Sequence, residues 1–257
     1  MDFRRILENS LIGIAIFTLI IGTIYYLPSV SAVSSEIGSK ELPIYNVDTD
    51  KKQVAISFDT ADGNEDTQTI LNILAKHDIH VSFFLTGDWI ENYPDDVKAI
   101  AAAGHDLGNL SENHKDMSKL NAKEIKEEIV SVSSKVKELT GQDMTLFRPP
   151  YGDYNNQLLL TAKECGYYTI HCNIDSLDWK NYGVDSIIQT ICENKDLGNG
   201  SIILMHNGGM YTASALEAVI TNLKSQGYEI VPISQLIYKN NYYIDNTGKQ
   251  ISNRKQI

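Results

Sequence analysis

Five short apolar runs in this chain lead into groups that can move a proton or hold a charge. Val54-Ala55-Ile56-Ser57-Phe58 ends on Asp59, and the run closing on Asn109 is followed five residues on by His114. Leu146-Phe147 leads into Arg148-Pro149-Pro150-Tyr151-Gly152-Asp153, and the run to Ile174 leads into Asp175-Ser176-Leu177-Asp178-Trp179. Ile202-Ile203-Leu204-Met205 ends on His206. A carboxylate at the mouth of an apolar strand is costly unless something there uses it. An acid and an imidazole in unlike surroundings can divide the work of general base and general acid. Two prolines fix the backbone beside an arginine that must be aimed. Taken singly, each group has a plainer reading. Asp59 can cap the helix that follows, and His206 can be a satisfied rim histidine. Arg148 can staple a nearby acid, Trp179 can cover core, and His114 can sit on a surface loop. Scattered loop polarity, however, would not sort all of them to one end of the runs.

The elements that would position these groups alternate. Strands are expected over 54–59, 81–86, 105–109, 145–148, 168–174, 201–206 and 229–233. Helices are expected over 67–76, after Pro94, and over 121–139, 155–164, 184–194 and 214–224, with Ser234 capping a last short one. Strand-then-helix units in series give parallel strands with right-handed crossovers. Seven of them fit an α/β fold, a (β/α)7 barrel that is closed or nearly closed. In such barrels the chemistry sits where the strands end. Nothing resembles a glycine-rich dinucleotide loop.

The 257 residues carry a formal net charge of −11, and no Lys/Arg cluster occurs in the body of the chain, which argues against nucleic acid as a partner. Cys165, Cys172 and Cys192 lack Cys-x-x-Cys spacing and read as small buried side chains. Residues 11–27 contain no charge and follow Arg4 and Arg5, with Val30-Ser31-Ala32 shaped like a cleavage site. Two readings stand: a single-pass anchor in the cell membrane, or a signal removed on secretion. Both place the rest of the chain outside the cytoplasm. Length and the flanking Tyr25 and Tyr26 favour the anchor. The expected organisation is a membrane or signal segment over 1–32, a polar linker over 33–50, the barrel over 51–239, and a loose polar tail over 240–257.

From Val54 to Leu236 the chain resembles the polysaccharide deacetylase family with the NodB homology domain, carbohydrate esterase family 4. The resemblance rests on Phe58-Asp59, Arg148-Pro149-Pro150-Tyr151-Gly152, Asp175-Ser176-Leu177-Asp178-Trp179 and Leu204-Met205-His206, in order. It implies a distorted (β/α)7 barrel and hydrolysis of N-acetyl groups on a glycan polymer. It also implies Asp59 as general base, Arg148 as its holder, His206 as general acid and Asp178 as the partner of His206. Tyr151, Pro150 and Trp179 are implied at the substrate, with the backbone near Tyr151 helping to bind the oxyanion. A divalent metal, zinc or cobalt, is implied as well, but the chain departs from that pattern. Thr60 stands in place of an acid ligand and Leu110 in place of one histidine, so only His114 remains. Three outcomes follow: a metal site rebuilt with Asp62, Glu112 or Asp66, a slow or metal-free hydrolase, or a non-catalytic relative that binds glycan. The intact acid-base set favours the hydrolase.

Overall fold

A computed structural model describes residues 41–253. The expected segment at 1–32 and the first part of the 33–50 linker, residues 33–40, lie outside those residues. Among the described residues, no helix is long and apolar enough to cross a membrane.

The chain begins with β1 (Asn46–Val47), β2 (Gln53–Thr60) and α1 (Thr67–Lys76). It continues through β3 (Ser82–Leu85), α2 (Gly87–Asn92), α3 (Pro94–Ala102), β4 (Asp106–Asn109) and α4 (Ala122–Thr140). Next come β5 (Leu146–Phe147), α5 (Asn156–Glu164), β6 (Tyr168–Thr169), β7 (Ile174–Asp175) and α6 (Val184–Cys192). The last elements are β8 (Ile202–His206), α7 (Thr212–Ser225), β9 (Glu229–Ile230), α8 (Ile233–Leu236), β10 (Tyr242–Ile244) and β11 (Lys249–Ser252).

The main sheet has the order β6-β5-β4-β3-β2-β8-β7, and every pairing in it is parallel. β2 lies between β3 and β8, where an apolar run buried on both faces belongs. Its alternation sorts the side chains. Val54, Ile56 and Phe58 join the core under the helices, with Leu74, Ile129 and Leu216. Ala55 joins a separate inner cluster with Phe84, Leu110, Leu146 and Ile202. Ser57 and Asp59 continue the Ala55 face. The same period puts Arg148 two residues after inward Leu146, and His206 four after inward Ile202.

The expected barrel is instead a curled half-barrel. The predicted strand 168–174 breaks in two, and its halves lie on opposite edges of the sheet: β6 pairs with β5, and β7 with β8. Residues 170–173 cross the opening between those edges. The reason is local: His171 N–H donates to Ile44 O, and Asn173 N–H to Ile202 O, so the crossing residues bond to other segments rather than to one flanking strand. β9 shortens to two residues and pairs only with the start of β2.

Two further expectations change. The linker is not free of the domain up to residue 50, since Ile44 and Val47 are buried in the inner cluster and Val47 N–H donates to Gly200 O. Over its described residues, 240–253, the tail is not loose, because β10 and β11 form an antiparallel hairpin whose second strand pairs with β1. One helix escaped the sequence reading: α2, capped by Thr86 Oγ1, which accepts from Trp89 N–H at 3.2 Å. The cysteines are free, with Cys172 and Cys192 buried.

Candidate active site

At the C-terminal ends of the strands a cleft of about 620 Å³ opens. Asp59, His114, Arg148, Tyr151, Trp179 and His206 all line it. Asp59 and His206 are direct Cα partners on adjacent parallel strands, a spacing of roughly 5 Å. Their side chains share the concave face, so an acid and an imidazole flank one space.

Arg148 holds Asp59 at 2.5 Å from Nη1 to Oδ1. The guanidinium is itself fixed. Nη2 donates to Ser57 Oγ at 2.8 Å, and Ser57 Oγ–H donates to Ile203 O at 2.9 Å. The plane lies over the Phe84 ring at 4.0 Å. Gly108 makes that stack fit, because a Cβ there would come 2.5 Å from Phe84 Cδ1. After Arg148, Pro149 lines the cleft, and Tyr151 adopts φ 60°, a left-handed turn that sends its exposed ring to the rim. There it tilts against His114 with centroids 4.7 Å apart.

His206 is held from behind. Asp178, fully buried, accepts His206 Nδ1–H at 2.7 Å and His206 N–H at 2.8 Å. It also accepts Thr212 Oγ1–H at 2.7 Å and Trp179 N–H at 2.9 Å. Burial pushes the His206 pKa down, but the Asp178 bond and the Asp59 charge outweigh it and the net shift is upward. Burial pushes Asp178 up, and its hydrogen bonds to His206 and Thr212 bring it below the ordinary carboxylate value. The imidazole is thereby kept protonated at Nδ1, with Nε2 left toward the cleft. His114 is pushed down by burial, against the pull of Asp59 and Asp62.

The structure therefore brings Asp59, Arg148, His206, Asp178, Tyr151, Trp179 and His114 to one place. Pro150 is the exception: it is buried at the start of the turn, and Pro149 takes the wall position. Pro150 opens the 150–152 turn with its fixed φ, one position past the wall. Asp62, Asp175 and His171 also line the cleft. His171 was not anticipated; its only signal was an imidazole in the middle of an otherwise strand-like run.

The implied metal is tested by the donor set. Thr60 is fully buried with Oγ1 unpartnered, and Leu110 is fully buried in the inner apolar cluster. Of the substitutes, Asp62 lines the cleft, Glu112 pairs with Lys135 through Oε1 while its Oε2 is unpartnered, and Asp66 accepts from Gly208 N–H at Oδ1 while its Oδ2 is unpartnered. Among the described residues, no group of three His, Cys, Asp or Glu side chains is placed to hold an ion. A single imidazole does not make a zinc or cobalt site, and these residues do not fit one.

A curled parallel sheet with an arginine-held carboxylate facing a carboxylate-held imidazole defines an acid-base hydrolase architecture. The family model for polysaccharide deacetylase matches residues 46–170. An uncharacterised 30.6 kDa protein of Geobacillus stearothermophilus is 37% identical over 211 residues, covering 79% of this chain and 77% of that one. The peptidoglycan-N-acetylmuramic acid deacetylase PdaA of Bacillus subtilis is 32% identical over 203 residues, covering 76% and 75%. A solved CE4 family pseudoenzyme from Bacillus anthracis superposes with a TM-score of 0.72 at 34% identity, covering 76% of this chain and 68% of that one. A mutant of that protein with restored enzymatic activity gives 0.73 at the same identity, covering 76% and 70%. The chain belongs to the polysaccharide deacetylase family.

Proposed function

We propose that this protein is a hydrolase that removes N-acetyl groups from a cell-wall glycan. The observation that carries the proposal is the facing pair: Asp59 and His206 on adjacent strands, each fixed by its own buried partner. Asp59 takes a proton from water as the water oxygen bonds to the acetyl carbon. His206 Nε2–H then protonates the sugar nitrogen as the C–N bond breaks, leaving acetic acid and a free amine; the acid gives its proton back to His206 and departs as acetate, and Asp59 passes its proton to the amine. Arg148 keeps Asp59 aimed, and Asp178 orients the imidazole and favours its charged form. The exposed Trp179 and Tyr151 rings suit the apolar faces of sugar units. The substrate class follows from the relatives, PdaA among them, which is named for a peptidoglycan sugar. Attachment to the cell membrane through residues 11–27, with the domain outside, belongs to the same proposal and rests on the sequence alone.

A second reading is favoured by Thr60 and Leu110, which remove two of three ligand places, and by the likeness to a solved pseudoenzyme. In it the cleft binds glycan without cutting it. Acetate release from an N-acetylglucosamine oligomer by the full chain, with and without added zinc or cobalt, separates the two. Turnover that Asp59→Asn abolishes supports the hydrolase. A silent natural protein that binds the oligomer, and that turns over once Thr60→Asp and Leu110→His are introduced, supports the binding module.

A further inference from the structure

Besides His114 at the rim, the acid-base scheme leaves one imidazole of the cleft unused, His171. It sits on the four residues that cross the opening between β6 and β7, and its ring is braced from outside the barrel. Tyr45 stacks on it with centroids 4.3 Å apart and planes 13° off parallel. Tyr45 is fixed in turn: its hydroxyl meets that of Tyr154 at 3.3 Å, and its N–H donates to Gly248 O at 2.9 Å. Gly248 lies in the β10–β11 turn at φ +85°, and a Cβ there would run into the Tyr45 ring. The hairpin thus presses Tyr45 onto His171. On the inner side Gly152, also left-handed, leaves room, since its Cβ would lie 2.7 Å from His171 Nε2.

The proton on this ring has a fixed place. Cys172 N–H donates to Nδ1 at 2.8 Å, so Nδ1 is the acceptor and the neutral ring carries its hydrogen on Nε2. The 3.2 Å approach of Nδ1 to Cys172 O cannot be used at the same time. Burial and the Arg148 charge both hold the pKa below the ordinary imidazole value, which keeps the ring neutral. Among the described residues Nε2 has no hydrogen-bond partner.

We infer that His171 is a substrate-positioning residue, a neutral donor whose Nε2–H bonds an oxygen of the sugar unit seated between Asp59 and His206. A positive charge there would sit beside Arg148 and be repelled, so a neutral imidazole is the form that this corner accepts. The inference rests on the glycan reading of the cleft and adds a specificity contact to it.

The test compares the full chain with His171→Phe, which keeps a ring for Tyr45 but has no donor, and His171→Gln, which restores an N–H. Binding of an N-acetylglucosamine tetramer is measured by calorimetry. The expected loss in His171→Phe is about threefold to tenfold, the size of one neutral hydrogen bond. His171→Gln should recover most of it, and thermal unfolding of His171→Phe should fall by no more than about 10 degrees, because Cys172 N–H loses its Nδ1 acceptor. Imidazole nitrogen NMR of the natural protein should show His171 neutral with its hydrogen on Nε2. Equal affinity of parent and His171→Phe, or a hydrogen on Nδ1, overturns the inference while leaving the glycan reading intact. A folded parent that binds no tetramer overturns both.

Discussion

Asp178→Asn isolates the support behind His206, and its cost can be worked from the contacts. All four partners of the carboxylate are donors: Trp179 N–H and His206 Nδ1–H at Oδ1, His206 N–H and Thr212 Oγ1–H at Oδ2. An amide must turn its own NH2 toward one of these pairs. If it replaces Oδ1, the imidazole can change tautomer but Trp179 N–H loses its acceptor. If it replaces Oδ2, the threonine hydroxyl can rotate but His206 N–H loses its acceptor. Either way one buried backbone N–H is orphaned, at about 1–3 kcal/mol. Loss of the charge-assisted bond to the imidazole brings the expected total to about 2–4 kcal/mol. The effect depends on pH in a defined direction. The folded pKa of His206 lies above 6.5, so its contribution is complete below pH 6.5 and is lost as pH rises through that folded value. The folded pKa of Asp178 lies below 3.8, so its contribution is complete above pH 3.8 and is lost as pH falls through its folded value. The stability gap between parent and variant is therefore widest between pH 3.8 and 6.5. Urea unfolding at pH 5 and at pH 9 reads the gap, and an NMR titration of the His206 ring reads its pKa, which should fall in the variant. Equal urea midpoints at pH 5, or an unmoved His206 titration, would refute the reasoning about this pair.

Two further perturbations test the frame around the site. Gly108→Ala should push Phe84 out from beneath Arg148, destabilise the protein by about 1–3 kcal/mol, and weaken oligomer turnover or binding; a variant as stable and as active as the parent would show that the stack does not aim Arg148. His105, held down to about 4 by burial and by His80, makes the unfolded chain bind the extra proton between pH 4 and 6.5, so stability should fall with pH there by up to about 3 kcal/mol. In His105→Asn that part of the slope should vanish and the two stability curves should converge as pH drops; parallel curves would remove His105 from the acid response.

The reacting groups were legible because each ends an apolar run and the two-residue period of a strand fixes its face. Asp59 shares the side of Ala55, Arg148 that of Leu146, and His206 that of Ile202, so pattern alone gathers them on the concave surface. What escaped were breaks without a breaker. Tyr168 to Ile174 contains neither glycine nor proline, and nothing local says that its two ends belong to different edges; backbone bonds to Ile44 and Ile202 decide it. The closing hairpin was hidden by polarity, although Asp245-Asn246-Thr247-Gly248 is a turn signal and Asp245 Oδ1 accepts from Thr247 N–H and Lys249 N–H. His171 is hidden in the sequence for the same reason as the break around it. The helix at Gly87 is hidden because Thr86 closes an apolar run as readily as it caps a helix.

The crossing at residues 170–173 sets a limit on how far this half-barrel can gape. Thr169 ends β6 and Ile174 begins β7, five Cα steps apart in the chain. At full stretch five steps reach roughly 18 Å, so the two outer strands cannot part beyond that distance while both stay paired. The polypeptide itself is the hasp: a guest can enter from above the strand ends, but the jaws cannot swing open sideways to admit it.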